Sequence, residues 1–302
     1  MGGPISTDQI ILIITSTVMG TLARILTIKE DFRQYPSYPN GFMIHLVTGF
    51  IAASLGAVAI PAIMTKNYVA VTFLTLAIQQ FRDVRKSERE SLKDLESTEY
   101  AYRGDAYIDG ISKTFESRNY FSLIVALGTG ITMQLVDSRS NWINIFLAVV
   151  IGCIILFTLK RFSKGKTIGD IAEVKEGKIK VENNELFVDG IYISNQIGTE
   201  HASKLLQEEG RAVVIYPKEE HFRVTLENFG QRQAALFEAT RTLGLKRYHF
   251  SRRDFENGRV VIALVPIIND IDKLVEAVKK TPLLESSKKG KAVMKTNLVG
   301  RE

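Results

Sequence analysis

Cysteine and histidine are scarce in this chain of 302 residues, which has one cysteine and four histidines. Because Cys153 lies alone inside an apolar run, the chain can form neither a disulfide framework nor a Cys/His zinc site. His201, His221 and His249 are far apart in the sequence and lack the short spacing of metal-ligand pairs such as H-x-x-x-H. We therefore expect no metal and no cofactor.

The sequence also lacks the motifs that mark common catalytic sites. It contains no phosphate loop, no nucleophile elbow and no paired carboxylates in a recognisable setting. The net charge is +6, yet the basic residues form no compact stripe with interleaved aromatic residues, so nucleic acid is not an expected partner. We expect a protein that is not an enzyme, with no catalytic, cofactor-binding or metal-binding residues.

Long apolar runs fill the first half of the chain, whereas charges recur every few positions from Lys160 onward. Hydrophobic residues make up 45% of the chain although 24% of its residues are charged. A helix needs about 20 apolar residues to cross a bilayer. Five membrane spans are predicted, at residues 9–27, 42–64, 68–81, 120–136 and 142–159. The third of these is the shortest.

Basic residues flank the predicted spans unevenly. Five Lys and Arg residues lie between positions 82 and 93, and four lie between positions 160 and 166. Loops rich in Lys and Arg stay in the cytoplasm, and five spans then place the N-terminus outside and the C-terminus inside. The predicted regions are an outside tail (1–8), a transmembrane domain (9–164) with a cytoplasmic helical loop (82–118), a cytoplasmic domain (165–283) and a flexible tail (284–302).

Two ionisable residues, Arg24 and His45, fall inside the predicted spans, where charged groups are costly and are therefore candidates for function. Both lie near a predicted cytoplasmic end, where Arg24 can extend its charge to the interface, so a structural role is the preferred interpretation. Small residues recur at helical spacing in the second span: Gly49, Ala52, Ala53, Gly56 and Ala57. Such faces let helices approach closely, which indicates a packed bundle in the lipid bilayer or a homo-oligomer.

The hexapeptide YIDGIS at residues 107–112 lies between a highly charged stretch and the fourth span. Gly104 interrupts the charged stretch, and Asp105 is a plausible N-cap for a new helix. That helix has an apolar face and a polar face: Tyr107, Ile108, Ile111 and Phe115 on the first, and Asp109, Ser112, Lys113 and Glu116 on the second. We expect an amphipathic segment at the cytoplasmic interface with its apolar side toward the membrane. A role in orienting span four is preferred over a ligand or partner site.

The same hexapeptide resembles the signature of the YIEGIA family, multi-spanning membrane proteins of endospore-forming bacteria. The two sequences agree at Tyr107, Ile108, Gly110 and Ile111, whereas Asp109 replaces the family's Glu and Ser112 its Ala. The resemblance implies a location in the bacterial cytoplasmic or forespore membrane. It implies no reaction, and the motif is a candidate partner or interface site.

From Thr167 the sequence predicts a soluble α+β domain. Turn signals at Glu176-Gly177, Asn183-Asn184 and Asp189-Gly190 separate short strands, which predicts a β-meander over residues 170–194. RAVVIYP and FRVTLEN are predicted to form a hairpin. With three helices and one or two further strands, this order indicates a two-layer, ferredoxin-like portion with helices on one face of the sheet. In SRRDFENGR, three arginines (252, 253 and 259) could bind an anion, but a solvated hairpin or subunit contact is preferred.

Two functions are consistent with these features. The first is a non-enzymatic, homo-oligomeric assembly protein that offers a platform to a cytoplasmic protein partner, and the family resemblance implies sporulation membranes as its location. The second is a channel, because spans followed by a β-domain and an α/β domain resemble the layout of small-conductance mechanosensitive channels. The closest local likeness is the Asp-Gly turn before a strand that ends at Asn195, although Ser194 replaces the usual proline and the number of spans differs.

Overall fold

The computed structural model describes residues 6–28, 39–136 and 140–287, except for the side chains of residues 39–41 and 82. The chain divides into two compact units. The first comprises Met1–Glu90 and Ile111–Lys164, and the second comprises Ser91–Gly110 and Gly165–Glu302. Parts of both predicted tails, residues 1–5 and 288–302, lie outside the described residues.

Long helices build the first unit, and two of them, α3 and α4, extend into the second: α1 (Thr7–Ile28), α2 (Pro39–Met64), α3 (Tyr68–Glu96), α4 (Asp105–Leu135) and α5 (Asn141–Ser163). Among the described residues, α1, α2 and α5 are long and apolar enough to cross a membrane. The apolar part of the predicted third span, residues 68–81, extends only about 21 Å against a bilayer core of about 30 Å. The helix itself continues to Glu96 and has 29 residues. In α4 the apolar run begins only after Asn119 and contains Gln134 near its end.

Glycines let the helices of the first unit approach closely, as the small residues of the second span predict. A Cβ added at Gly20 of α1 would lie 2.5 Å from the Ser122 carbonyl oxygen of α4 and 2.6 Å from Cβ of Ala53 in α2. A Cβ at Gly56 of α2 would lie 2.4 Å from the carbonyl oxygen of Leu123. These distances are shorter than van der Waals contact, so the backbones of α1, α2 and α4 meet where only glycine fits.

The outer surfaces of the helices are apolar. Ile14, Val18, Leu22 and Ile25 recur along one side of α1 and are 40–58% exposed. Large apolar side chains of α5, such as Phe157, are exposed as well. A helical unit with small residues inside and a broad apolar exterior is the arrangement that a lipid environment favours.

The second unit contains two antiparallel sheets and several helices. Its strands are β1 (Ala172–Gly177), β2 (Ile179–Glu182), β3 (Glu185–Val188), β4 (Ile191–Ser194), β5 (Arg211–Pro217), β6 (Leu245–Arg253) and β7 (Val260–Pro266). Its own helices are α6 (Ile168–Ile171), α7 (Glu200–Glu208), α8 (Arg223–Leu226), α9 (Phe229–Leu243) and α10 (Ile271–Lys280), with 3₁₀ turns at Glu220–Phe222 and Glu285–Ser287.

The predicted meander is present, but with three of its four strands. β2, β3 and β4 form one sheet in that order, joined at Asn183-Asn184 and Asp189-Gly190, where all four residues have positive φ. Such turns match the twist of the strands that they join. β1 instead pairs with β5 in a four-stranded sheet of order β1-β5-β7-β6. Thus β4 and β6 are edge strands of their sheets.

Both faces of the four-stranded sheet are covered, unlike the predicted arrangement with helices on one face. α9 and α10 pack on the face that carries Val213 and Ile215 of β5. α7 and the small sheet pack on the opposite face, which carries Ala212 and Val214. The central strand β7 is buried at every position, which explains its uninterrupted apolar sequence.

The predicted hairpin between RAVVIYP and FRVTLEN is wrong. β5 pairs with β1 and β7, so both of its edges are already occupied. Residues 220–226 form a 3₁₀ turn followed by α8, in which Thr225 and Leu226 are buried while Val224 is exposed. In a strand Val224 and Leu226 would share one face, so tertiary packing has overruled the strand propensity of Val224 and Thr225.

Candidate functional site

The hexapeptide forms the first turns of α4 and is divided between the two units. Tyr107, Ile108 and the next two residues belong to the second unit, whereas Ile111 and Ser112 belong to the first. Asp109 and Gly110 are half-buried, and the other four residues are buried. The helix begins at Asp105 and not after it, because the Gly104 carbonyl accepts the first helical hydrogen bond from the Ile108 N–H at 3.1 Å.

Tyr107 is the buried anchor of the motif within the second unit. Its hydroxyl donates a hydrogen bond to Oε1 of Glu238 on α9 at 2.5 Å, and its ring meets the Phe237 ring edge to face at 6.2 Å. Arg241 binds the other carboxylate oxygen of Glu238 at 2.9 Å. Burial, followed by the nearby Glu238 carboxylate, raises the pKa of Tyr107, so the phenol remains a proton donor at physiological pH.

The residues just before the motif also bind α9. The Arg103 guanidinium lies 4.5 Å from the centroid of the Phe237 ring, and the Gln233 side-chain amide donates to the Tyr102 carbonyl at 2.6 Å. Ala101 lies in the main core of the second unit. Gly104 has φ of +84°, which favours glycine, and turns the chain into α4. Residues 101–107 therefore form a clamp on α9, and we refer to them as the α9 clamp.

This arrangement differs from the expected amphipathic segment, whose apolar side would face lipid. Tyr107 and Ile108 are buried inside the protein, and the Tyr107 ring packs on α9. A Cβ added at Gly110 would meet no heavy atom within 4 Å. Close backbone approach therefore does not explain the glycine of the motif.

Arg24 and His45 come together inside the first unit. Arg24 is fully buried: its Nε donates to the His45 carbonyl oxygen at 3.3 Å, and a terminal guanidinium nitrogen lies 3.3 Å from His45 Nδ1. Phe115 of α4 covers both, with its ring centroid 5.0 Å from the guanidinium carbon and 4.5 Å from the imidazole centroid. Gly49 makes room for Arg24, because a Cβ there would lie 2.3 Å from Arg24 Cγ. The cluster fastens α1, α2 and α4 together.

α4 carries a buried polar face that was not among the features predicted from the sequence. Ser112, Asn119, Ser122 and Thr129 are all fully buried. Neither polar atom of the Asn119 amide has a hydrogen-bond partner among the described residues, and the same holds for the Ser16 hydroxyl on α1. The signal was the spacing of seven, three and seven residues, which puts the four side chains on one side of a helix. Asn119 escaped notice because the predicted span began one residue after it.

Among the described residues of the second unit, no group of three or more His, Cys, Asp or Glu side chains could hold a metal ion. Arg259 pairs with Asp254 at 2.8 Å and closes the β6–β7 hairpin. Burial opposes the charge of Asp254, but hydrogen bonds from Arg259, Asn257 and the Glu256 N–H outweigh it and lower the pKa of that carboxyl.

These features define a class of protein in which apolar helices precede a mixed α/β unit that is completed by the segment before α4. The YIEGIA protein family model matches residues 12–294. The chain is 36% identical over 287 residues to the uncharacterized protein YphB of Bacillus subtilis (strain 168), an endospore-forming bacterium, a match that covers 93% of this chain and 94% of YphB. The chain belongs to the YIEGIA family, which confirms the resemblance of the hexapeptide. No solved structure matches the chain.

Proposed function

We propose that the protein is a five-span protein of the bacterial cytoplasmic or forespore membrane, with its N-terminus outside and its C-terminus inside. The apolar exteriors of α1 and α5 support insertion in lipid. Basic residues follow residue 81, and Lys160 and Arg161 lie in the last turn of α5. Their charge supports a cytoplasmic location for the segment after residue 81 and for the segment after α5.

The α9 clamp supports α4 as a span. Residues 91–110 form one compact unit with the described residues 165–287, which favours a position for both segments on the same side of a membrane. If α5 crosses once between them, the chain must cross a second time between residues 110 and 165. The rest of α4 is the segment available for that crossing. Its buried polar side chains lower its apolar content, and α4 is accordingly not among the helices that are long and apolar enough to cross a membrane by themselves.

The function that this arrangement supports best is a non-enzymatic, homo-oligomeric assembly protein with a platform for a cytoplasmic partner. The main support for this function is a pair of phenylalanines on the second unit, Phe229 and Phe255, which are each 72% exposed. Arg232 and Arg253 lie over their rings, at 5.8 and 4.3 Å respectively. Both arginines also contact Glu227, so the four side chains share one end of the unit. Aromatic residues and arginine are enriched in protein interfaces, and this patch suits a subunit contact.

The test is the mass of the detergent-purified full chain, measured by native mass spectrometry. We expect an oligomer for the wild type and a smaller species for the double variant Phe229→Ser/Phe255→Ser. Tyr100→Ser is the matched control, because Tyr100 is 80% exposed on the same unit but lies outside the patch. An unchanged oligomer in the double variant would contradict the proposed contact.

A second candidate function, a channel or solute conduit, draws support from the buried polar face of α4. From Ser112 to Thr129 this face extends about 25 Å, close to the thickness of a bilayer core of about 30 Å. In liposomes the wild type should then conduct ions or release solute under tension, and Asn119→Leu should reduce that release. A stable oligomer that neither conducts ions nor releases solute would contradict the conduit function and favour the assembly function.

Membership of a family represented in an endospore former supports a role in sporulation. The expected result is that a fluorescent fusion appears in the membranes of sporulating cells and is weak during vegetative growth. For the second unit we also infer a ferredoxin-like relationship. β5, α9, β6, β7 and α10 follow the order of that fold, and β1 occupies the edge that a final strand would fill.

A further inference from the structure

A polar groove of about 290 Å³ opens in the second unit between residues 192–196 and residues 249–252. The first segment is the end of β4 and the residues that follow it, and the second is part of β6. Both are edge strands, one from each sheet. The volume is close to the lower end of the range for small-molecule sites, about 300 Å³.

The groove meets the edges of the two strands rather than their faces. Side chains on one face of a strand come from alternate residues, whereas this groove is lined by consecutive residues of both segments. β4 pairs with β3 and β6 pairs with β7, so each strand has one edge without a strand partner in the described chain. Backbone N–H groups at such edges are available to a ligand.

The lining chemistry favours a negatively charged ligand. Ser194, Asn195, Gln196 and Ser251 offer hydroxyl or amide donors, and no Asp or Glu lines the groove. The Ser251 hydroxyl is buried and has no hydrogen-bond partner within the described part of the chain. Burial lowers the pKa of His249, so its imidazole is neutral at pH 7 and donates from one ring nitrogen.

Arg252 is the cation of the groove. No carboxylate lies within ion-pair distance of it among the described residues, in contrast to its neighbour Arg253, which contacts Glu227 at 3.7 Å and stacks on Phe255 at 4.3 Å. A guanidinium beside hydroxyl and amide donors is the arrangement that binds carboxylate and phosphate groups.

We propose that the groove between β4 and β6 binds a small oxyanion, the phosphate or carboxylate group of a soluble metabolite, with Arg252 as its charged partner. The proposal is independent of the assembly and conduit functions, because it uses neither the phenylalanine patch nor the helical unit. A longer acidic peptide is the less favoured occupant, since the groove is short.

The experiment is calorimetric titration of the detergent-purified full chain with pyrophosphate and, separately, with citrate. We expect saturable binding of at least one of them with one site per chain, and the probe that binds distinguishes phosphate from carboxylate recognition. Arg252→Gln removes the charge-assisted hydrogen bonds to the anion, so it should weaken binding roughly tenfold or more.

Arg247→Gln is the matched control, because it removes the same charge from β6 at an exposed position outside both the groove lining and the phenylalanine patch. We expect its affinity to stay within about twofold of the wild type, a change too small to represent a lost charged hydrogen bond. Asn195→Ala should weaken binding without changing the net charge. The proposal is overturned if neither probe binds saturably or if the two arginine variants lose affinity equally.

Discussion

Tyr107 gives the hexapeptide a physical role at the scale of one residue. Its buried hydroxyl binds Glu238, a carboxylate that lies 131 positions further along the chain. Helical periodicity predicted an apolar side for this segment and correctly included Tyr107 in it. Periodicity carries no information about which distant element covers that side, so the sequence pointed to lipid where the structure has α9.

Tyr107→Phe should destabilise the second unit. The variant keeps the ring against Phe237 but removes the donor to a mostly buried carboxylate, which costs about 1.5–3 kcal/mol. The measurement is thermal unfolding of the detergent-purified protein, followed by circular dichroism. Tyr102→Phe is the control, because Tyr102 is exposed and its α9 contact uses the backbone carbonyl. Equal melting temperatures for wild type and Tyr107→Phe would contradict this role of the hydroxyl.

The effect of Tyr107→Phe should depend on pH. Burial and Glu238 raise the pKa of Tyr107 in the folded protein, while an unfolded tyrosine titrates near pH 10. The stabilisation is therefore complete below about pH 10 and declines as the pH rises toward the higher folded pKa. The wild type should lose its advantage over Tyr107→Phe in that alkaline range, and an advantage that persisted unchanged would refute the assignment.

At the scale of elements, glycines with different surroundings lie on the helices of the first unit and at the start of α4. Gly20 and Gly56 face backbone carbonyl oxygens of α4, whereas the Cβ position at Gly110 is open. We expect Gly20→Ala and Gly56→Ala to destabilise the protein by about 1–3 kcal/mol through overpacking. Gly110→Ala should stabilise it by about 0.5–1 kcal/mol, because alanine is the better helix former.

The glycine variants can be compared by their melting temperatures in one detergent. Gly110→Ala serves as the internal control for the chemical change itself, since all three variants add one methyl group to a helix. If Gly56→Ala melted at or above the wild-type temperature, the close approach of α2 and α4 would be ruled out.

The sequence predicts an element correctly where the chemistry of neighbouring residues determines it. The prediction fails where contacts between distant segments determine the element. The turns at Asn183-Asn184 and Asp189-Gly190 were readable because asparagine, aspartate and glycine adopt positive φ with little strain. The partner of β1 could not be predicted from local sequence, because β1 pairs with β5, which lies about 40 positions further along the chain. The Arg24–His45–Phe115 cluster was likewise hidden, although two of its three members were singled out.

At the scale of the whole molecule, the open question is the number of crossings, and the single native cysteine makes it testable. In a Cys153→Ala background, single cysteines at Ser6, Ser97 and Ser286 can be treated with a membrane-impermeant maleimide in intact cells. Five spans predict labelling at position 6 and protection at positions 97 and 286 until the cells are permeabilised. Three spans, formed by α1, α2 and α5 alone, would expose position 97 together with position 6.

The composition of the chain was enough to separate an apolar N-terminal half from a mixed C-terminal half. It was not enough to show that residues 91–110 belong with the later half. That assignment depends on the contacts of Ala101, Arg103 and Tyr107 in the second unit. All three residue types are common in loops, so their sequence gives no sign of these contacts.

The α9 clamp has a practical consequence for producing the C-terminal half by itself. A fragment that starts at Gly165 lacks the α9 clamp, which covers the Phe237 ring and hydrogen-bonds to Glu238. Such a fragment would expose the Phe237 ring and the mostly buried Glu238 carboxylate to water, and it should be prone to aggregate. Joining residues 91–110 to residues 165–287 through a flexible linker would restore these contacts, and we expect the joined protein to aggregate less than the fragment.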